Sequence, residues 1–177
     1  MTIRTVGLRI ALLSALCSCT AVTFGAEAAT SDGPPDPKAF LELAAQDGMT
    51  EVQLGELALR NSKNPHVRQF AQQMIDDHGK ANIELVGIAQ QKNVIAAKKL
   101  DAKHTAMVHD LSTKFGLDFD TAYAKTMEDA HANAIALFER ESKGRDPQVS
   151  SFAKQMLPVL MAHKHMADEL NSVFHGK

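Results

Sequence analysis

Residues 64–74, NPHVRQFAQQM, return at 146–156 as DPQVSSFAKQM. Each copy opens on a hydrogen-bond acceptor, Asn64 or Asp146, followed by Pro65 or Pro147. That pair starts a helix: the acceptor takes an orphan backbone N–H, and proline, which has none to offer, fits the first helical position. Behind each start, Val, Phe and Met recur at spacings of three and four, the period of a helix face rather than the alternation of a strand. Ser-Lys precedes both copies, at 62–63 and 142–143. Two such units read as two helical hairpins joined by a long connection, the topology of ferritin-like four-helix bundles.

Working outward, helix one is expected from Pro37 to Asn61 with Asp36 as its N-cap, and helix two from Pro65 to about Lys92. The stretch 93–116 is less regular, and within it Asp101 to Lys114 reads as a short crossover helix ended by Gly116. Helix three is expected from Asp118 to about Lys143, stopped by Gly144, and helix four from Asp146 to about Phe174. Pro158 falls inside helix four, where its missing N–H and ring predict a kink or a bulge.

Composition agrees with an all-α class. Of 177 residues 45% are hydrophobic and 23% charged, with no Trp and one Tyr, a bias toward helix formers. Lys and Arg total 19 against 21 Asp and Glu, a net charge of -2 that leaves no basic footprint for nucleic acid.

Residues 1–28 read as a Sec signal peptide: Arg4 and Arg9, an apolar run from Ile10 to Phe24, then the small residues Ala26 and Ala28. The run is too short for a membrane span, which needs about 20 residues. Both cysteines, Cys17 and Cys19, lie in this leader, so the processed chain would hold neither a disulfide nor a thiolate site. A second reading makes Cys19 a lipid-anchor site. Export to the periplasm or beyond follows from the leader. Residues 29–36 lack apolar periodicity and read as a disordered segment before a single bundle domain at 37–177.

Each expected bundle helix carries one polar residue in the middle of its inward stripe. Helix one offers Glu51 in the row Phe40, Ala44, Asp47, Glu51, Leu54, Ala58. Helices two, three and four offer His78, His131 and His163 within otherwise apolar rows. Counting from the connecting turns sets Glu51 level with His78 and His131 within about one helical turn of His163. A carboxylate and three imidazoles at one buried level must be paired, protonated or bound to a cation. Glu128, three residues before His131, adds an E-x-x-H spacing and is a further candidate ligand. Asp77 adjoins His78 but points about 100° away from it around the helix.

Two readings stay open at this point: one transition-metal ion, Zn, Cu or Fe, held by Glu51, His78, His131 and His163; or a structural Glu/His network that only fixes helix register. A di-iron centre would need further carboxylates where Ile75 and Leu160 stand, so the donor set suits a single ion better. Met74, Met127 and Met166 lie one turn from the stripe histidines; they are soft donors for copper and equally ordinary core filler. His66, His104, His109, His165 and His175 show no convergent spacing and are expected at the surface. No phosphate loop, nucleophile elbow or H-E-x-x-H occurs, which leaves hydrolase and nucleotide chemistry without support. A redox enzyme is a third reading.

The segments FLELAAQDGMTEVQLGELA (40–58), FAQQMIDDH (70–78), Tyr123 to Phe138 around His131, and FAKQMLPVLMAH (152–163) resemble the bacterial exported family called domain of unknown function 4142. The Asp77-His78 pair and the Pro158 to His163 spacing are the more distinctive points. The resemblance implies a ferritin-like helical domain of the periplasm or outer membrane with no established activity.

Overall fold

A computed structural model describes residues 33–175. The expected signal peptide, Cys17, Cys19 and residues 29–32 lie outside the described residues. The order is α1 (Pro37–Asn61), α2 (Pro65–Gln91), α3 (Ala102–Ser112), α4 (Gly116–Glu141) and α5 (Pro147–His175), with no strand among the described residues. The all-α bundle of two hairpins with a short helix in the crossover is therefore what the chain forms. No helix among the described residues is long and apolar enough to cross a membrane.

The starts are built as their sequences dictate. Asn64 Oδ1 accepts from the His66 N–H at 2.9 Å, and Asp146 Oδ1 accepts from the N–H groups of Gln148 and Val149, both at 3.1 Å. Asp101 Oδ1 caps α3 through the His104 N–H at 2.9 Å. Caps of this kind contribute about 1 kcal/mol each. One boundary differs from expectation. Gly116 does not end the crossover helix; with φ +57° it makes the turn from which α4 starts. Pro158 lies inside α5, as expected, and the helix continues through it. Pro158 and Lys154 are both exposed, so the carbonyl that proline leaves unbonded faces water and costs little.

α1 pairs with α2, and α4 pairs with α5, along the length of each hairpin. Gly55 permits the close approach in the first: a Cβ there would stand 2.9 Å from the Ala71 carbonyl oxygen and from Ile75 Cγ1. Across the hairpins, Phe70 meets Tyr123 with ring centroids 6.1 Å apart, and eight residues further on in both helices His78 meets His131 at 5.7 Å. α2 and α4 thus run in the same direction, and residues 92–115 must carry the chain back along the bundle. α3 packs on α1, held by His104 and by Gln46, which bonds the Lys99 carbonyl at 3.2 Å and the Asp101 N–H at 2.9 Å.

The apolar core comes in two clusters. One, at the end where α1 and α5 begin, gathers Phe40, Leu41, Leu85, Ile88, Phe138, Phe152 and Leu160. Its aromatic ladder sets Phe40 4.9 Å from Phe138 and Phe138 6.1 Å from Phe152. The other holds Leu54, Val67, Phe70, Met74, Phe119, Tyr123, Met127, Ala167 and Leu170. Burial of each large side chain contributes about 1.5–3 kcal/mol. In each of the four long helices the break between the clusters falls at the polar stripe residue: Glu51 in α1, His78 in α2, His131 in α4 and His163 in α5.

Candidate metal centre

At that break the four residues meet. His78 Nδ1 stands 2.9 Å from Glu51 Oε2, and His131 Nε2 stands 3.5 Å from Glu51 Oε1. The three imidazole centroids lie 5.3–5.7 Å apart pairwise. All four residues are buried, His131 fully and Glu51 to 3%. Glu128 is not brought to this point: its Oε2 accepts from Asn171 Nδ2 at 2.6 Å, with Lys125 Nζ 3.8 Å away on the outer side of α4.

Every imidazole is anchored through one nitrogen. His78 Nδ1 donates to Glu51, and His131 Nδ1 donates to the Met127 carbonyl at 2.8 Å, one turn back in its own helix. His163 Nε2 donates to Asp77 Oδ2 at 3.0 Å across the α2–α5 seam. Because carboxylates and carbonyls only accept, each bond fixes a proton on the anchored nitrogen, and in a neutral ring it leaves a lone pair on the other. Those others, His78 Nε2, His131 Nε2 and His163 Nδ1, are buried with no hydrogen-bond partner among the described residues. One ring nitrogen from each of the three residues lies within 4.8 Å of the other two.

The electrostatics follow from this placement. Burial alone would push the Glu51 carboxyl up, but the His78 and His131 rings beside it and the His78 hydrogen bond outweigh that and hold it at about 2. Glu51 is therefore an anion in the dry interior. Burial lowers His78, yet the Glu51 charge and hydrogen bond raise it further, so its net movement is upward. Burial dominates at the other two rings: His131 is lowered, and His163 falls to about 4 despite its bond to Asp77. Two of the three imidazoles are thus neutral at pH 7, with lone pairs available. An unsatisfied buried polar group costs about 1–3 kcal/mol. Imidazole lone pairs beside a carboxylate are an arrangement that a cation satisfies and a further acceptor would worsen.

Two features escaped the sequence reading. Asp77 points away from its neighbour His78, as expected, but it does so in order to hold His163 on α5. His104, expected at the surface, is buried to 3%, with Nδ1 2.8 Å from Asp101 Oδ1 and Nε2 3.0 Å from Asp47 Oδ1. The Asp101/His104 spacing of three on a capped helix and the place of Asp47 in the inward row of α1 were the available signals. Of the methionines, Met74 and Met127 are fully buried in the second core cluster and Met166 packs against it.

Solved structures of similar fold are also helical. A DUF305 fragment from Deinococcus radiodurans superposes with a TM-score of 0.69 at 16% identity, covering 79% of this chain and 97% of that one. CopM in its Cu(II)-bound form gives 0.67 at 17%, over 80% and 99%; in its Ag-bound form it gives 0.60 at 20%, over 75% and 93%. At these identities the likeness concerns the fold. No curated protein matches the chain. Over residues 22–170 the sequence matches the family described as domain of unknown function (DUF4142), and the chain belongs to that family.

Proposed function

We propose that this protein binds a single transition-metal ion in its core through His78, His131 and His163, with Glu51 as counter-charge and fourth donor, and that it serves metal handling in the bacterial envelope. One observation carries the reading: three buried imidazoles are each tied through one nitrogen to an acceptor and keep the other nitrogen without a partner, and one ring nitrogen of each lies within 4.8 Å of the other two. This is how metal-ligating histidines are commonly held, since the outer hydrogen bond fixes tautomer and ring orientation. Imidazole with carboxylate suits Zn, Cu and Fe. Copper is the first choice among them, because structural neighbours were solved as CopM with Cu(I), Cu(II) and Ag. The buried thioethers of Met74 and Met127, one turn below the imidazole layer, give the surroundings a soft character that favours the same metal. The leader at 1–28 would take the protein to the periplasm, where such an ion is met. Glu128, bonded to Asn171, is left outside the donor set.

Metal analysis of tag-free protein tests this. The expected result is one ion per chain, a higher melting temperature on adding Cu, Zn or Fe, and loss of both in His78→Ala. Absence of stoichiometric metal, together with melting curves indifferent to all three ions, would overturn it and leave the Glu51–His78 pair as a register-fixing contact.

A further inference from the structure

Directly against the Glu51–His78 pair, on the side of the first core cluster, lies a cavity of about 20 Å³ lined by residues of all four long helices. A space of that size takes one water molecule, or one ion stripped of most of its hydration. Glu51 and His78 both line it, as do Asp47 and Asn82; the rest of the lining is apolar. Asp47 precedes Glu51 by four residues on α1, and Asn82 follows His78 by four on α2. In an antiparallel pair this sets Asp47 and Asn82 level with each other, one helical turn from the donors. Asp47, Ala81 and Asn82 are half-buried, whereas every other lining residue is buried. The wall between the cavity and solvent is thinnest there.

One side chain closes the α1–α2 seam at this level. Gly48 contributes none, and a Cβ built on it would fall on the Asn82 amide, 3.1 Å from its Cγ and 3.3 Å from its Nδ2. The Asn82 amide thus fills the gap that the glycine leaves. Glu51, His78 and Asp47 are each held by a hydrogen bond, but the Asn82 side chain enters none among the described residues. A side chain held by contact alone can change rotamer without breaking a bond and without moving the backbone. Asp77 is the other half-buried polar group beside the layer, and it is tied to His163. Opening at Asp77 would cost the bond that orients a ligand; opening at Asn82 costs none.

We propose that Asn82 is the gate of the metal centre: the ion enters and leaves through the α1–α2 seam, past Gly48 and the Asn82 amide, to Glu51 and His78. The inference rests on the metal reading above and concerns how that site is reached. The amide oxygen accepts, so at the mouth it can stand in for one of the waters that an ion sheds on entering so small a space. A gate differs from a ligand in what it controls. It sets the height of a barrier that lies on the path in both directions, so it changes loading and release by the same factor and leaves the affinity alone.

The test uses tag-free protein with Cu(II) as the probe, and stoichiometry, loading rate and release rate are measured on each variant. Loading is followed by stopped-flow absorption, and release by transfer to excess chelator at several chelator concentrations, which isolates the first-order step. Asn82→Ala should load and release about tenfold faster, the change expected when about 1.4 kcal/mol is taken off a barrier, with an unchanged dissociation constant. Asn82→Leu, which closes the same gap with a bulkier apolar group, should slow both steps by a similar factor at the same stoichiometry. Wild-type rates in both variants, with copper still bound, overturn the proposal and leave the metal reading standing. A change in release alone, with weakened affinity, also overturns it and makes Asn82 a support of the site. A wild-type protein that takes up no copper removes both.

Discussion

Asp77→Asn separates a metal-orienting role from a packing role. The Asp77 carboxylate accepts from His163 Nε2 at 3.0 Å, and its side chain is 31% exposed. The substitution keeps shape and removes charge, so the apo protein should change by no more than about 1 kcal/mol. The effect on the ion should be larger. Asparagine can present its NH₂ to Nε2, which would move the imidazole proton to Nδ1, the nitrogen left without a partner. Loss of an outer-shell partner of this kind weakens metal affinity by about 10–100-fold, or about 1.4–2.7 kcal/mol. At saturating metal the same amount disappears from the stabilisation that binding confers. For a domain of this length that corresponds to about 3–10 °C of melting temperature. Paired thermal melts of apo and metal-saturated protein, wild type against variant, provide the assay. The expected pattern is nearly equal apo curves with a reduced metal-induced rise in the variant. Equal rises in both proteins would refute the orienting role, and a drop confined to the apo curve would make Asp77 a packing contact.

Metal binding should release about one proton per ion near pH 6, because only His78 has its pKa raised while burial lowers His131 and His163. Affinity should accordingly climb with pH below the His78 pKa, and a release of three protons measured by pH-stat would contradict the assignment. In the apo protein, His163 binds its proton more weakly folded, at about 4, than unfolded, at 6.5. Its contribution to stability should therefore be lost as pH falls through that interval, as urea titrations at several pH values would show. Gly55→Ala should destabilise by about 1–3 kcal/mol, since its Cβ would press on the Ala71 backbone oxygen. Gly87→Ala meets nothing within 4 Å and should stabilise by about 0.5–1 kcal/mol, so equal midpoints in urea would refute the close-approach argument.

The bundle was legible because its signals are local. Proline after a capping residue, Gly144 after the last turn of α4 and a three–four apolar period are written within single segments, and the repeat at 64–74 and 146–156 ties two of the segments together. The polar layer was legible for a related reason: antiparallel neighbours joined by short turns share a height that can be counted in residues. What escaped depends on pairs from different hairpins, whose relative rotation no turn length sets. Asp77 finds His163 across the α2–α5 seam, and His104 finds Asp47 through a crossover of irregular sequence. Glu128 illustrates the opposite error. Its E-x-x-H spacing puts it near His131 along the helix but rotates it about 60° around the axis, far enough for its carboxylate to meet Asn171 rather than the three rings.

The split core bears on how such a site could be loaded. Small metal domains often cannot fold without their ion, because the ligands supply most of the order. Here apolar clusters flank the polar layer on both sides, and each draws side chains from all four long helices. The helices are thereby set in register above and below the imidazoles by contacts that no metal ligand makes. The anchoring bonds from Glu51, Met127 and Asp77 then orient the rings within that frame. Preorganisation of this kind lowers the conformational cost of taking up an ion, and it lets the ion leave without unfolding the chain. The cost of the buried unpartnered ring nitrogens, several kcal/mol in total, falls on the layer alone and is offset by the clusters at either side. A bundle arranged in this way is suited to exchange a metal reversibly.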